Sequence, residues 1–198
     1  MQIQILEASE ADFPVVQNLV RFYVYDMAET MGWPCPEDGL YGGCDDLPEY
    51  WWPGSTPAEL EAISQKLAIV IPYNQHFERW PAGHRGHPFV IRVNGELAGF
   101  AMVKQMTGGE PADYDMGEFF IVRKFRRQGV GARVATDLFD RFPGTWEVRQ
   151  MAAHRPAQAF WRQVIAGYTN NQYQESSQHI KAYGLDMIVQ RFTSPPAG

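Results

Sequence analysis

The chain has 198 residues, a formal net charge of −6 and a hydrophobic fraction of 45% that includes 12 Phe, 9 Tyr and 6 Trp. That length and composition suit one domain with a substantial core and room for an insertion. The negative charge argues against bulk binding to nucleic acid or to an anionic membrane.

No apolar run approaches 18 residues, so no transmembrane helix is expected. Met1 to Ile5 lacks a basic segment followed by an apolar core, so no signal peptide is expected either. Cys35 and Cys44 are the only cysteines, too few for a disulfide framework. A reducing, cytoplasmic setting is the expectation, with a pairing of the two thiols left open. The charge is uneven: residues 1–65 carry 12 of the 23 acids and one base, Arg21.

Gln2 to Leu6 alternates polar and apolar residues and predicts a first strand. Ser9 with Asp12 three residues on resembles a capping box. A helix follows, with Phe13, Val16, Val20, Tyr23, Met27 and Met31 at helical spacing, and Gly32, Pro34 and Pro36 end it. Residues 33–87 read as long loops carrying Trp33, Tyr41, Tyr50, Trp51, Trp52, Tyr73, Phe77 and Trp80. One helix is expected within them, from Thr56 to Val70. Such aromatic loops form lids or interfaces, or simply pack over a core edge. His84 and His87, with His76, lack the Cys pair or helical spacing of a zinc site, and no metal is expected.

Pro88 to Val103 predicts a hairpin about Asn94-Gly95, which supplies the two positive-φ positions of a type I′ turn. Gln105 to Met116 reads as a loop. Phe119 to Val122 is a buried strand by its continuous apolar run. Arg123 to Gln128 is basic and polar. From Gly129 the apolar residues take helical spacing, with Val130, Val134, Leu138 and Phe142. Thr145 to Arg149 is a short strand, and Arg155-Pro156 opens a helix bearing Ala157, Phe160, Trp161 and Val164. Tyr168 to Glu175 and Met187 to Phe192 are two last strands, followed by a disordered tail from about residue 194. The element order is β-α-α-β-β-β-α-β-α-β-β.

The turn between Val122 and Val130 carries chemistry. The first amides of a helix have no intrahelical partner, and the helix dipole adds positive charge there. Gly129 and Gly131 lack a Cβ, so a phosphate can approach the backbone. Arg123, Lys124, Arg126, Arg127 and Arg133 lie here, and no acid occurs between Phe119 and Thr136. That local reversal of sign suits a phosphate-bearing ligand.

This stretch resembles the pyrophosphate loop of the GNAT superfamily of acyl-CoA-dependent N-acyltransferases, carried by Arg126, Gly129 and Gly131 between a strand and a helix. The element order and Gly99-Phe100-Ala101 resemble the same family over nearly the whole chain, leaving only 33–87 unmatched. The resemblance implies an α/β fold (α+β by some schemes), with a mixed central sheet of six to seven strands flanked by about four helices. It implies a single domain over 1–193 with an aromatic insertion at 33–87.

It also implies acetyl-CoA as cosubstrate, with the amides of Gln128, Gly129, Val130, Gly131 and Ala132 on the pyrophosphate beside Arg126 and Arg127. The strand edge at Ile121, Val122 and Arg123 would pair with the pantetheine. His154, Ala157 and Phe160 keep the frame of a further cofactor-contacting segment. In that segment His154 stands where Asn is common, and Trp161 where a Tyr often protonates the departing thiolate.

The reaction implied is acetyl transfer to a primary amine by direct attack in a ternary complex. Glu118, at the head of the central strand, is the first candidate base; its plain alternative is an ion-pair partner for an Arg. His154 is a second candidate, since imidazole titrates near neutrality. Tyr168 is a candidate acid only if a bulge offsets two extra residues. The acidic first third implies a small cationic acceptor, or a Lys or N-terminal amine, held by carboxylates and aromatic rings. A homodimer is compatible with the exposed aromatic segment. A non-catalytic acyl-CoA sensor and a Rossmann-type dinucleotide enzyme are the alternative readings.

Overall fold

The computed structural model describes residues 1–42, 44, 46–68, 71, 80–181 and 184–195. Seven strands form one mixed sheet in the order β1-β2-β3-β4-β5-β7-β6. They are β1 Ile3–Glu7, β2 Arg85–Val93, β3 Glu96–Gln105, β4 Tyr114–Ile121, β5 Gly144–Met151, β6 Gln174–Ile180 and β7 Leu185–Ser194. Four helices join them: α1 Phe13–Met31, α2 Pro57–Leu67, α3 Val130–Arg141 and α4 Arg155–Thr169. The element order is the expected one. No helix among the described residues is long and apolar enough to cross a membrane.

Alternation along the strands divides the core in two. Ala101, Val103, Met116, Trp146 and Val148 face α3 and α4, where Val134, Leu138, Phe139 and Ile165 meet them. Phe100, Met102 and Phe120 face α1 and the 3₁₀ turn at Leu47–Tyr50, where Phe13, Val20, Leu47 and Tyr50 close the other layer. Each large side chain so buried contributes about 1.5–3 kcal/mol relative to exposure. The aromatics of the insertion largely serve this second layer: Tyr50, Trp52 and Trp80 are buried. Tyr73, Phe77, His76 and Val70 lie outside the described residues.

The hairpin turns as expected, with φ of +51° at Asn94 and +80° at Gly95. Several boundaries differ. β4 starts at Tyr114, not after a loop ending at Met116, because residues 114–116 pair with both β3 and β5. β5 runs from Gly144 to Met151, longer than Thr145 to Arg149, because β7 pairs with it along its whole length. α4 runs through Tyr168 and Thr169 and ends at Asn170, whose φ of +52° caps it. Tyr168 is therefore helical, and β6 begins only at Gln174. Thr193 and Ser194 extend β7, with Ser194 buried against Gly144, so the last strand runs further than expected. Residues 196–198 of the expected tail lie outside the described residues.

Candidate active site

β4 and β5 are parallel neighbours for only three rungs, Tyr114 to Met116 beside Trp146 to Val148. Beyond them the strands part, and one edge of β4 is left open. Val122 donates its amide to the Ala98 carbonyl on β3 at 2.8 Å. Peptide groups alternate in direction along a strand, so Phe120 also faces β3, while Phe119 and Ile121 face the gap. From Gly117 to Val122 the open edge is about 17 Å long.

A bulge sets which side chains look into this gap. Met102 pairs with Glu118 and Val103 with Met116, so Gly117 is the extra residue. One extra residue reverses the alternation. Asp115 and Glu118, three apart, therefore share the α1 face. A Cβ on Gly117 would overlap the Tyr50 hydroxyl, so a phenol lies directly on the bulge.

The gap opens into a cleft of about 740 Å³ lined by Tyr23, Met27, Cys44, Asp46, Tyr50, Asp115, Glu118, Arg149, His154, Ala157 and Trp161, among others. Glu118 is half-buried there, and desolvation with the nearby Asp46 pushes its carboxyl up to about 7, against hydrogen bonding from Tyr23 and Cys44. Asp115 is buried and paired with Arg149; its Oδ1 has no hydrogen-bond partner among the described residues. Asp46 accepts from Trp80 Nε1 at 3.1 Å. Burial raises the Tyr23 and Tyr50 phenols well above their ordinary range. His154 is the residue preceding α4, and burial with the nearby Arg126 lowers its pKa.

The basic loop closes the other end of the gap. Gly129, at φ +80°, precedes α3, and the first turn of α3 presents its unpaired amides outward. A Cβ on Gly131 would press on the Phe160 ring at 3.2 Å, so that glycine also seats α4 against α3. The expected sign reversal is largely cancelled by acids from outside the loop. Asp26 on α1 reaches Arg123 at 2.7 Å and Arg126 at 2.5 Å. Glu96 holds Lys124 at 2.6 Å and Asp137 holds Arg133 at 2.8 Å. Arg126 also donates Nε to the Ile121 carbonyl at 2.5 Å. Among the described residues, Arg127 is the one of these five cations with no carboxylate against it. Arg127 sits at φ +60°, a strained conformation for a side chain of its size.

The fold thus brings together Glu118, His154, Ala157, Phe160, Ile121 and the loop from Arg123 to Ala132; Val122 lies beside them but, contrary to expectation, its amide is taken by Ala98 on β3 and does not face the gap. It does not bring Tyr168 there. That hydroxyl donates to Asp140 at 2.8 Å, and the ring packs on Phe139 and Phe192 at the far end of α4. No bulge offsets the two residues, because the segment is a continuous helix. Trp161 is buried against Phe119 and Phe160 and carries no hydroxyl to replace it. Sequence reasoning did not assign Tyr23, Cys44, Asp46, Tyr50, Asp115 or Arg149 to the site. The one local signal was Gly117 inside a strand, which marks a bulge. Among the described residues no group of three His, Cys, Asp or Glu gathers as a metal site.

Comparison with known proteins bears on this geometry. No protein of curated function matches the chain in sequence. Among solved structures, an acetyltransferase from Thermus thermophilus is similar at a TM-score of 0.55 and 14% identity, covering 98% of this chain and 97% of its own. A spermidine N-acetyltransferase SpeG chimera from Vibrio cholerae and hSSAT is similar at 0.54 and 10% identity, with 98% and 96% covered. At these identities the likeness is one of fold. The model of the Acetyltransferase (GNAT) family matches residues 48–166, which run from the 3₁₀ turn at Leu47–Tyr50 through α2 to most of α4, hold the bulge, the gap and the basic loop, and take in most of the segment 33–87 that was expected to be unmatched. The chain therefore belongs to the GNAT family, and is an N-acetyltransferase that takes its acetyl group from acetyl-CoA.

Proposed function

We propose that the chain acetylates the primary amine of a small cationic acceptor by direct attack in a ternary complex, with Glu118 as general base. The observation that carries this reading is the placement of Glu118. Its carboxyl lies in the cleft where β4 and β5 part, with a proton affinity near neutrality. A base with that pKa can accept the proton of an attacking neutral amine at physiological pH, an effect worth about 10²–10⁴-fold.

The remaining parts fit the same reaction. Gly129 and Gly131 leave the amides of Gln128 to Ala132 accessible to a diphosphate. Arg127 adds a cation at the loop. The open edge at Phe119 and Ile121 offers backbone groups to an extended amide-bearing arm. Acetyl-CoA supplies the activated acyl group and a thiolate leaving group; the protein supplies proximity and proton transfer. On the acceptor side, Asp46 and Asp115 add negative charge next to Glu118. The spermidine acetyltransferase among the similar folds acts on an amine of this class.

The test is thiol release from acetyl-CoA across amines of graded charge at fixed length. Cationic amines should be turned over in preference to neutral and anionic ones. Turnover confined to neutral or anionic acceptors would overturn the acceptor class. An unimpaired Glu118→Gln variant would remove the base.

A further inference from the structure

Amine acylation leaves two proton problems. The nitrogen must lose one, and the departing sulfur must gain one. Glu118 answers the first. For the second, α4 offers nothing: Trp161 has no ionisable group, and the Tyr168 hydroxyl is held by Asp140 at the far end.

The place where the sulfur must sit can be located. The phosphate loop lies at the carboxyl end of β4, and the open edge runs back from Val122 to the point where β4 and β5 part, at Gly117. An arm lying along that edge ends at the bulge. The side chain on the bulge is Tyr50. Its hydroxyl occupies the space a Cβ of Gly117 would need. The ring is fixed edge-on against Trp80, with centroids 4.6 Å apart, and Trp80 is itself held by Asp46 and covered by Lys104 at 4.6 Å. Tyr23, the other phenol of the cleft, packs against Phe100 and Phe120 and is hydrogen-bonded to Glu118, not set against the bulge.

We propose that Tyr50 is the proton donor to the departing CoA thiolate, and that Glu118 recharges it. The inference rests on the ternary-complex reading above. As the C–S bond breaks, its electron pair stays on sulfur and takes the Tyr50 proton. The proton that Glu118 removed from the amine passes to the Tyr50 oxygen. The C–N bond has formed, the thiol is neutral, and both side chains return to their starting states with no outside acid. Desolvation and the facing groups Asp46, Asp115, Glu118 and Cys44 keep the phenol protonated throughout the working range, as a donor must be.

Two measurements test this. The first needs no reaction: binding of free CoA and of desulfo-CoA to the wild-type protein, by calorimetry from pH 7 to 10. A hydrogen bond donated to the thiolate makes CoA bind progressively tighter than desulfo-CoA as pH rises, and Tyr50→Phe abolishes that difference. The second is kinetic. Tyr50→Phe keeps the ring contact with Trp80 and should lower kcat by about a hundredfold or more, with the KM for acetyl-CoA little changed. Equal pH profiles for the two ligands in the wild type would overturn the proposal even if the variant failed to fold. Full turnover by Tyr50→Phe would also overturn it. Loss of activity in Glu118→Gln with normal thiolate binding leaves Tyr50 in place. An unimpaired Glu118→Gln instead defeats the reading beneath it.

Discussion

Asp26 on α1 and Arg126 in the basic loop, 100 positions apart in the chain, meet at 2.5 Å, while the same carboxylate holds Arg123. Arg126 in turn covers the Ile121 carbonyl on the open edge of β4. On the reading proposed above, an acid thus stands where the diphosphate would bind, and a guanidinium where the amide-bearing arm would pair. Acetyl-CoA would exchange both.

Replacing Asp26 with Asn should therefore strengthen acetyl-CoA binding. Partly exposed ion pairs are worth about 0.2–1 kcal/mol each, so an overall gain of about 1 kcal/mol, or about fivefold in Kd, is expected. Calorimetry decides it. Weaker binding would mean that Asp26 positions Arg126 for phosphate instead of competing for it. Arg127→Ala, which removes the cation left without an acid, should raise the Kd.

Glu118 gives a signed pH dependence. Its folded pKa of about 7 lies above the ordinary carboxylate value of 4.5. The folded state therefore holds its proton where the unfolded chain has lost it, and stability falls as pH rises from about 4.5 to about 7. Glu118→Gln removes that cost. Discounted for partial exposure, it should stabilise the protein by about 2 kcal/mol above pH 7 and raise Tm by roughly 4–8 °C. The difference should vanish near pH 4. In the wild type, kcat/KM should rise with pH through about 7, and that limb should be missing from the variant.

Tyr168→Phe should keep full turnover. The lost hydrogen bond to Asp140 should cost about 1 kcal/mol, read as a Tm lower by a few degrees. Trp161→Tyr should also lose stability, through a smaller side chain in a packed site, without gaining rate. An activity drop in Tyr168→Phe at unchanged fold would reopen its place in the mechanism.

Gly117→Ala should remove most activity. The methyl group meets the Tyr50 oxygen, and Tyr50 is 3% exposed and boxed in by Trp80. Overpacking of this kind costs about 1–3 kcal/mol. Urea denaturation and acetyl-CoA turnover, measured together, separate the stability loss from the catalytic one.

Much of this was legible before any coordinates. The period-2 and period-3.6 patterns give the order of elements, Asn94-Gly95 the hairpin, and Gly129-x-Gly131 the turn that opens α3. What failed did so for physical reasons. Neutralisation of the loop depends on Asp26, Glu96 and Asp137, and two of these are brought in by tertiary packing. Tyr168 read as strand because Tyr-Thr-Asn-Asn is a poor helix end by propensity, yet Asn170 in a left-handed conformation caps α4 after it. One wall of the cleft comes from Cys44, Asp46 and Tyr50, in a segment with no periodicity to place them.

Two glycines in different strands are dictated by one residue, but not in the same way. A Cβ on Gly117 would strike only the tip of the Tyr50 side chain, whereas a Cβ on Gly86 of β2 would strike the Tyr50 backbone. The first constraint can be relaxed by substitution at position 50; the second cannot. Gly117→Ala should thus be better tolerated in a Tyr50→Phe background than alone, while Gly86→Ala should be equally harmful in both. The order in which substitutions can accumulate around this cleft is fixed by that difference.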